Sequence, residues 1–119
     1  MARYLFTLIL LALLPTGRAL ADEPPEEQLR FFETRIRPLL VERCYECHSG
    51  DPDEVESKFQ IDSRAGILRG GIHGPAAIVG MPEKSLMIFA VNHAVQIDMP
   101  PKFKLPQRQI DDLTAWVKM

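Results

Sequence analysis

Only two cysteines, one tryptophan and three histidines occur in the 119 residues. Two cysteines cannot build the framework of four or more that staples small secreted domains. They are also too few for an all-cysteine zinc or iron–sulfur site within one chain. A basic excess is missing as well. Lys and Arg number 14 against 16 Asp and Glu, for a formal charge of −2, so nucleic acid is a poor match as partner. No apolar run reaches the roughly 20 residues of a membrane span. The chain is nonetheless rich in apolar residues. At 46% hydrophobic and 25% charged, it has the composition of a globular protein rather than a disordered one, and its length suits one domain.

Residues 1–21 read as a secretory signal. Arg3 supplies the leading charge and Tyr4–Leu14 the apolar run. Pro15 and Gly17 end that run, and Ala19-Leu20-Ala21 forms a small-x-small cleavage site. The run is short for a permanent anchor, an alternative that Arg18 in the cleavage region keeps open. No cysteine lies near the cleavage site to take a lipid. Cleavage removes Arg3 and Arg18 and leaves all 16 acidic residues, so the exported chain is more acidic and spans no membrane. A domain this small buries only about two-thirds of the surface its unfolded chain exposes. It gains from a metal, a disulfide or a bound cofactor that adds core.

Residues 22–28, with the run DEPPEE, read as an acidic flexible tail, and residues 29–119 as the folded domain. Leu29, Phe32, Ile36, Leu39 and Leu40 recur at helical spacing up to Cys44. Pro38, which lacks an N–H, should kink or restart that helix. Residues 49–56 are a polar loop, and Phe59 and Ile61 alternate with polar neighbours as in a short extended piece. Asp62-Ser63 can cap a short helix ending at Gly70-Gly71. Residues 72–80 should be irregular. Pro82-Glu83 starts a further helix that runs through Leu86–Val91. The adjacent prolines of residues 97–104 forbid a helix there. Pro106 opens a last helix whose apolar stripe is Ile110, Leu113, Trp116 and Val117. The expectation is three to four helices joined by long loops, which in a small domain usually need a function or cofactor to order them.

Both cysteines fall in Cys44-Tyr45-Glu46-Cys47-His48. On a helical turn, positions i, i+3 and i+4 share a face. The two thiols therefore point the same way with the imidazole beside them. That arrangement suits two thioether bonds to the vinyl groups of a haem, with His48 on the iron, and the spacing is the attachment signal of c-type haem. Two alternatives stand beside it. A C-x-x-C redox pair normally belongs to a thioredoxin-like βαβ pattern, which the chain lacks. A zinc site of Cys44, Cys47, His73 and His93 needs two histidines far more widely separated than the usual three to five residues. A second axial ligand is best sought in Asp98-Met99-Pro100-Pro101, where prolines stiffen a loop that can hold a soft thioether over iron. Met87 reads as core, Met119 is terminal and Met81 sits at a turn. His73 and His93 are further candidates, and an open distal position is the remaining one.

These residues resemble a class I cytochrome c domain, and most closely the planctomycete-type cytochrome c domain. The resemblance runs through Ile36-Arg37-Pro38-Leu39-Leu40 into Cys44–His48, then Ile61–Ala65, Leu68–Gly71, Gly74-Pro75-Ala76, Pro82–Leu86, Met99-Pro100-Pro101 and Leu113–Val117. It implies an all-α, cytochrome c-like fold wrapped around one covalent haem c, with His48 and Met99 axial. It implies that the first and last helices cross, with Phe31 or Phe32 against Trp116. It also implies that the carbonyl of Pro75 accepts a hydrogen bond from His48, as a Gly-Pro pair does in class I cytochromes. Residues 76–80 depart from the family pattern in lacking a proline. The function this implies is single-electron transfer between exported, periplasmic redox partners, without enzyme chemistry. Lys102, Lys104 and Arg108 near Met99 are candidates for a basic rim that steers an acidic partner. The other readings are a five-coordinate haem sensor or catalytic haem module, or the electron-input module of a larger exported protein.

Overall fold

A computed structural model describes residues 23–51 and 53–119. The expected signal segment and its cleavage site lie outside the described residues. Among the described residues, no helix is long and apolar enough to cross a membrane. The fold is all-α. No strand forms among these residues, only an isolated bridge between Gly71 and Gly74.

The first helical rod starts earlier than the sequence suggests. Helix α1 (Glu26–Phe31) takes Pro25 as its N-cap and carries Glu26 and Glu27 in its first turn. The acidic stretch read as a tail therefore contributes the carboxylates that complement a helix N-terminus. A π-helical stretch (Phe32–Ile36) joins it to α2 (Arg37–Arg43), which carries Pro38 in its first turn. Pro38 thus makes the irregularity expected of it, and the ladder answers by widening just upstream. The Arg37 N–H reaches back to Phe32 O, which leaves room where the ring would crowd the preceding turn. Ile36, Leu39 and Leu40 are buried on one face.

The last helix, α6 (Gln107–Lys118), opens at Pro106 and buries Ile110, Leu113 and Val117. It crosses the first rod. The rings of Phe32 and Trp116 sit 5.5 Å apart at a 34° tilt, a geometry aromatic pairs favour. The Arg35 guanidinium donates to Asp112 Oδ2 at 2.7 and 3.2 Å.

Three short helices complete the frame. Helix α3 (Tyr45–His48) follows Cys44 directly. Helix α4 (Arg64–Arg69) is capped by Ser63, whose Oγ accepts the Gly66 N–H at 3.0 Å, and it ends at Gly70 with φ +70°. A Cβ at Gly70 would collide with the Gly74 backbone and come within 2.7 Å of Pro75 Cα, so only glycine fits.

Helix α5 (Leu86–Val91) is preceded by a separate 3₁₀ turn, Pro82–Lys84. One continuous helix was expected there. The break falls at Ser85, which is fully buried with extended backbone. Its hydroxyl accepts the Ile78 N–H and donates to Met81 O, both at 2.9 Å. A buried hydroxyl must find such partners, and here meeting that demand fixes the preceding loop.

Candidate functional site

Between α2, α3, α5 and the loop before α6 lies a cavity of about 340 Å³. Its apolar wall includes Leu40, Phe59, Ile61, Leu86, Val91 and Leu105. Onto this wall the fold brings Cys44, Cys47, His48 and Met99 together. The two cysteines come from the end of the first rod and the following turn, and Met99 comes from a loop more than fifty residues later in the sequence.

His48 is buried and held on two sides. Its own carbonyl accepts the Ile61 N–H at 2.7 Å, and its Nδ1 lies 3.0 Å from Phe59 O. A carbonyl only accepts, so Nδ1 carries the proton and Nε2 keeps the lone pair that binds metals. The Phe59 ring also packs on the imidazole, with centroids 5.1 Å apart. This corrects the expectation for Pro75. The carbonyl facing His48 is that of Phe59, while Pro75 is exposed and stands off the cavity wall. Gly74-Pro75 instead packs closely on Gly70, which places the turn but not an acceptor.

The segment carrying Phe59 is itself tied down. Gly50 N–H donates to Asp62 Oδ2 and Gln60 Nε2 donates to Gly50 O, each at 2.9 Å. Alternation at Phe59 and Ile61 was the sequence signal for this segment. The carbonyl that matters is a backbone atom, and residue types do not announce it.

Met99 is partly buried against the core, and its N–H donates to Ala90 O at 3.1 Å. The loop is thereby fastened to α5 at the residue that carries the thioether. Met87 also lines the cavity and is buried, while Met81 and Met119 are exposed and away from it. His73 lies on the cavity wall. His93 does not, and its Nε2 is buried without a hydrogen-bond partner. Cys44, Cys47, His73 and His93 therefore do not converge. Among the described residues, no group of three or more His, Cys, Asp or Glu is arranged to hold a metal.

The thiols are unpaired. Burial pushes the Cys44 thiol up to about 11, and the neighbouring Cys47 adds to the shift. Catalytic dithiols run the opposite way, with a thiolate stabilised at neutral pH. Cys44 is thus poorly suited to act as the attacking thiolate at neutral pH.

Searches of curated proteins and of solved structures found no match. A family model described as Planctomycete cytochrome C matches residues 44–102. That match starts at the first cysteine and runs past Met99, covering the cavity's distinctive donors from end to end; in family terms, the chain carries a planctomycete-type cytochrome c domain.

Proposed function

We propose that this protein is a monohaem c-type cytochrome that carries single electrons between exported redox partners. The observation that carries the reading is the convergence of Cys44, Cys47, His48 and Met99 on one apolar cavity. The donor set fits a covalent haem c. Cys44 and Cys47, on one turn, would take the two vinyl groups as thioethers, and the His48 imidazole and the Met99 thioether, on its fastened loop, would ligate the iron. When bound, the group supplies an Fe(III)/Fe(II) couple.

The chain's own residues set the conditions for that couple. Phe59 O orients the His48 ring and fixes its tautomer. Leu40, Ile61, Val91 and Leu105 exclude water, which disfavours the more highly charged oxidation state. The Met99 thioether favours a higher reduction potential than a second imidazole does. Export agrees with the family, whose domains are generally exported, and with the signal-like residues 1–21. Lys102, Lys104 and Arg108 are all exposed. On an acidic chain they form a basic rim that favours an acidic redox partner. Charge reversal at Lys102 and Lys104 then slows electron exchange with such a partner at low salt, and unchanged rates remove that part of the reading.

The deciding experiment is expression with a haem-attachment system, followed by intact-mass spectrometry and a pyridine haemochrome assay. One haem per chain, bound through two thioethers and low-spin when oxidised, is the expected result. Bare apoprotein mass from properly matured material overturns the reading. A high-spin oxidised haem that takes up cyanide readily replaces the carrier with an open-site haem module.

A further inference from the structure

Almost all of the cavity wall is apolar, apart from the donors already described and Arg43. The exception is one corner, where Glu56, Ser57 and His73 line the cavity. They belong to two segments bound together. Ile72 N–H donates to Ser57 O at 2.9 Å, and a Cβ on Gly71 would collide with Ser57 O and crowd Phe59. Ser57 and Lys58 hold left-handed backbone, with φ of 56° and 53°. Non-glycine residues rarely adopt that conformation, and strain of this kind persists where the surroundings fix it. Among the described residues, the side chains of Glu56 and His73 make no hydrogen bond or ion pair. The corner is therefore shaped and polar, and its three residues are exposed and, among the described residues, unpartnered in their side chains.

A haem has the same asymmetry: an apolar macrocycle with two carboxylates along one edge. We propose that the corner formed by Glu56, Ser57 and His73 receives the haem propionates and sets the reduction potential by opposed contributions. This rests on the haem reading above. His73 offers a ring N–H donor and Ser57 a hydroxyl, both of which stabilise a carboxylate. Glu56 brings a like charge to the same corner. The two influences on the iron have opposite sign. A donor to the propionates withdraws negative charge from the macrocycle and favours Fe(II). The Glu56 carboxylate favours Fe(III), the more positive state. A charge near the edge of a partly screened site shifts such an equilibrium severalfold.

The test is equilibrium redox titration of the matured holoprotein, read as the reduced-to-oxidised ratio against a mediator held at fixed potential. Glu56→Gln is expected to raise that ratio about threefold. His73→Leu is expected to lower it about threefold, and His73→Gln, which restores a donor, to return it towards wild type. All three should keep one covalent haem and an unchanged low-spin spectrum, because the proposed iron ligands, His48 and Met99, are left in place. Shifts of the same sign in Glu56→Gln and His73→Leu, or no shift in either one, overturn the proposal. So does a His73→Gln value no closer to wild type than that of His73→Leu. If His73→Leu does not mature, the Glu56→Gln and His73→Gln titrations decide: a raised ratio in the first with a near-wild-type ratio in the second supports the corner, and any other result overturns it. Failure of the wild-type chain to acquire haem is a different outcome, one that removes the haem reading itself.

Discussion

At the seam between the first rod and α6, Ile36 and Ile110 are 0% and 1% exposed, and the contacts are ring on ring and chain on chain. At the cavity, Cys44 is half-buried, Cys47 is exposed and Met99 sits on a loop. The seam is held by side-chain packing on two periodic helices. The cavity is held by hydrogen bonds to the main chain: Ile61 N–H to His48 O and Met99 N–H to Ala90 O between backbones, and the His48 side-chain Nδ1 to Phe59 O. The difference teaches a division of labour. Packing without chemistry supplies stability, and loops anchored by main-chain bonds present reactive atoms to an apolar space that the packing encloses. Leu40 and Leu113 stand in both regions, since each is buried at 1% exposure and also lines the cavity. They couple the two.

A pair of substitutions should break the two regions apart. Ile110→Ala removes packing from the seam without reaching the cavity wall. Its expected cost is about 2–5 kcal/mol in chemical denaturation, the range for a buried Ile truncated in a close-packed core, with the visible spectrum of the folded holoprotein unchanged. Met99→Ala should do the reverse. The haem stays covalently attached, low-spin character is lost, and the denaturation midpoint moves less than in Ile110→Ala. A spectrum altered by Ile110→Ala, or left low-spin by Met99→Ala, would dissolve the distinction.

The thiols sharpen the comparison within the cavity. With Cys44 raised from about 9 to about 11 by burial, its thiolate fraction near pH 8 falls on the order of a hundredfold below that of an unshifted thiol. The sign is fixed by the mechanism: only the thiolate is alkylated, so Cys44 labels slowly until the pH climbs towards 11. In reduced apoprotein with a native-like helical signal, iodoacetamide should label the exposed Cys47 first, and the pH–rate profile of Cys44 should rise towards a midpoint near 11. Equal labelling rates at pH 8 would show that Cys44 is not enclosed.

How much of this was legible beforehand follows from the kind of signal each part carries. The two long helices repeat apolar residues at helical spacing, so the burial of Ile36, Leu40, Ile110 and Leu113 could be read directly. The meeting of the two cysteines and His48 on one cavity wall could be read because i, i+3 and i+4 share a helical face. The π-helical stretch could not, since Pro38 announces a disturbance but not where the ladder absorbs it. Nor could the break at Ser85, which depends on a hydroxyl meeting the Ile78 N–H and Met81 O in three dimensions. The resemblance to class I cytochromes, where a Gly-Pro pair follows the haem motif, points to Pro75 as the acceptor. The acceptor here is a main-chain oxygen of Phe59, and any residue type carries that atom.

The smallest effect lies back at the seam. Arg35 and Asp112 join the first rod to α6 across a 2.7 Å contact, with side chains 35% and 17% exposed. Both nitrogens address the same carboxylate oxygen, so the pair lacks the parallel two-oxygen fork that makes such bridges strong. Solvent also reaches the guanidinium and screens it. A double-mutant cycle with Arg35→Gln and Asp112→Asn should therefore give a coupling of about 0.5 kcal/mol, shrinking further at high salt. A coupling several times larger would mean that the bridge, rather than the apolar stripe beneath it, holds the helices in their crossing. The contrast between a packed seam and a hydrogen-bonded cavity would then fail at its simpler end.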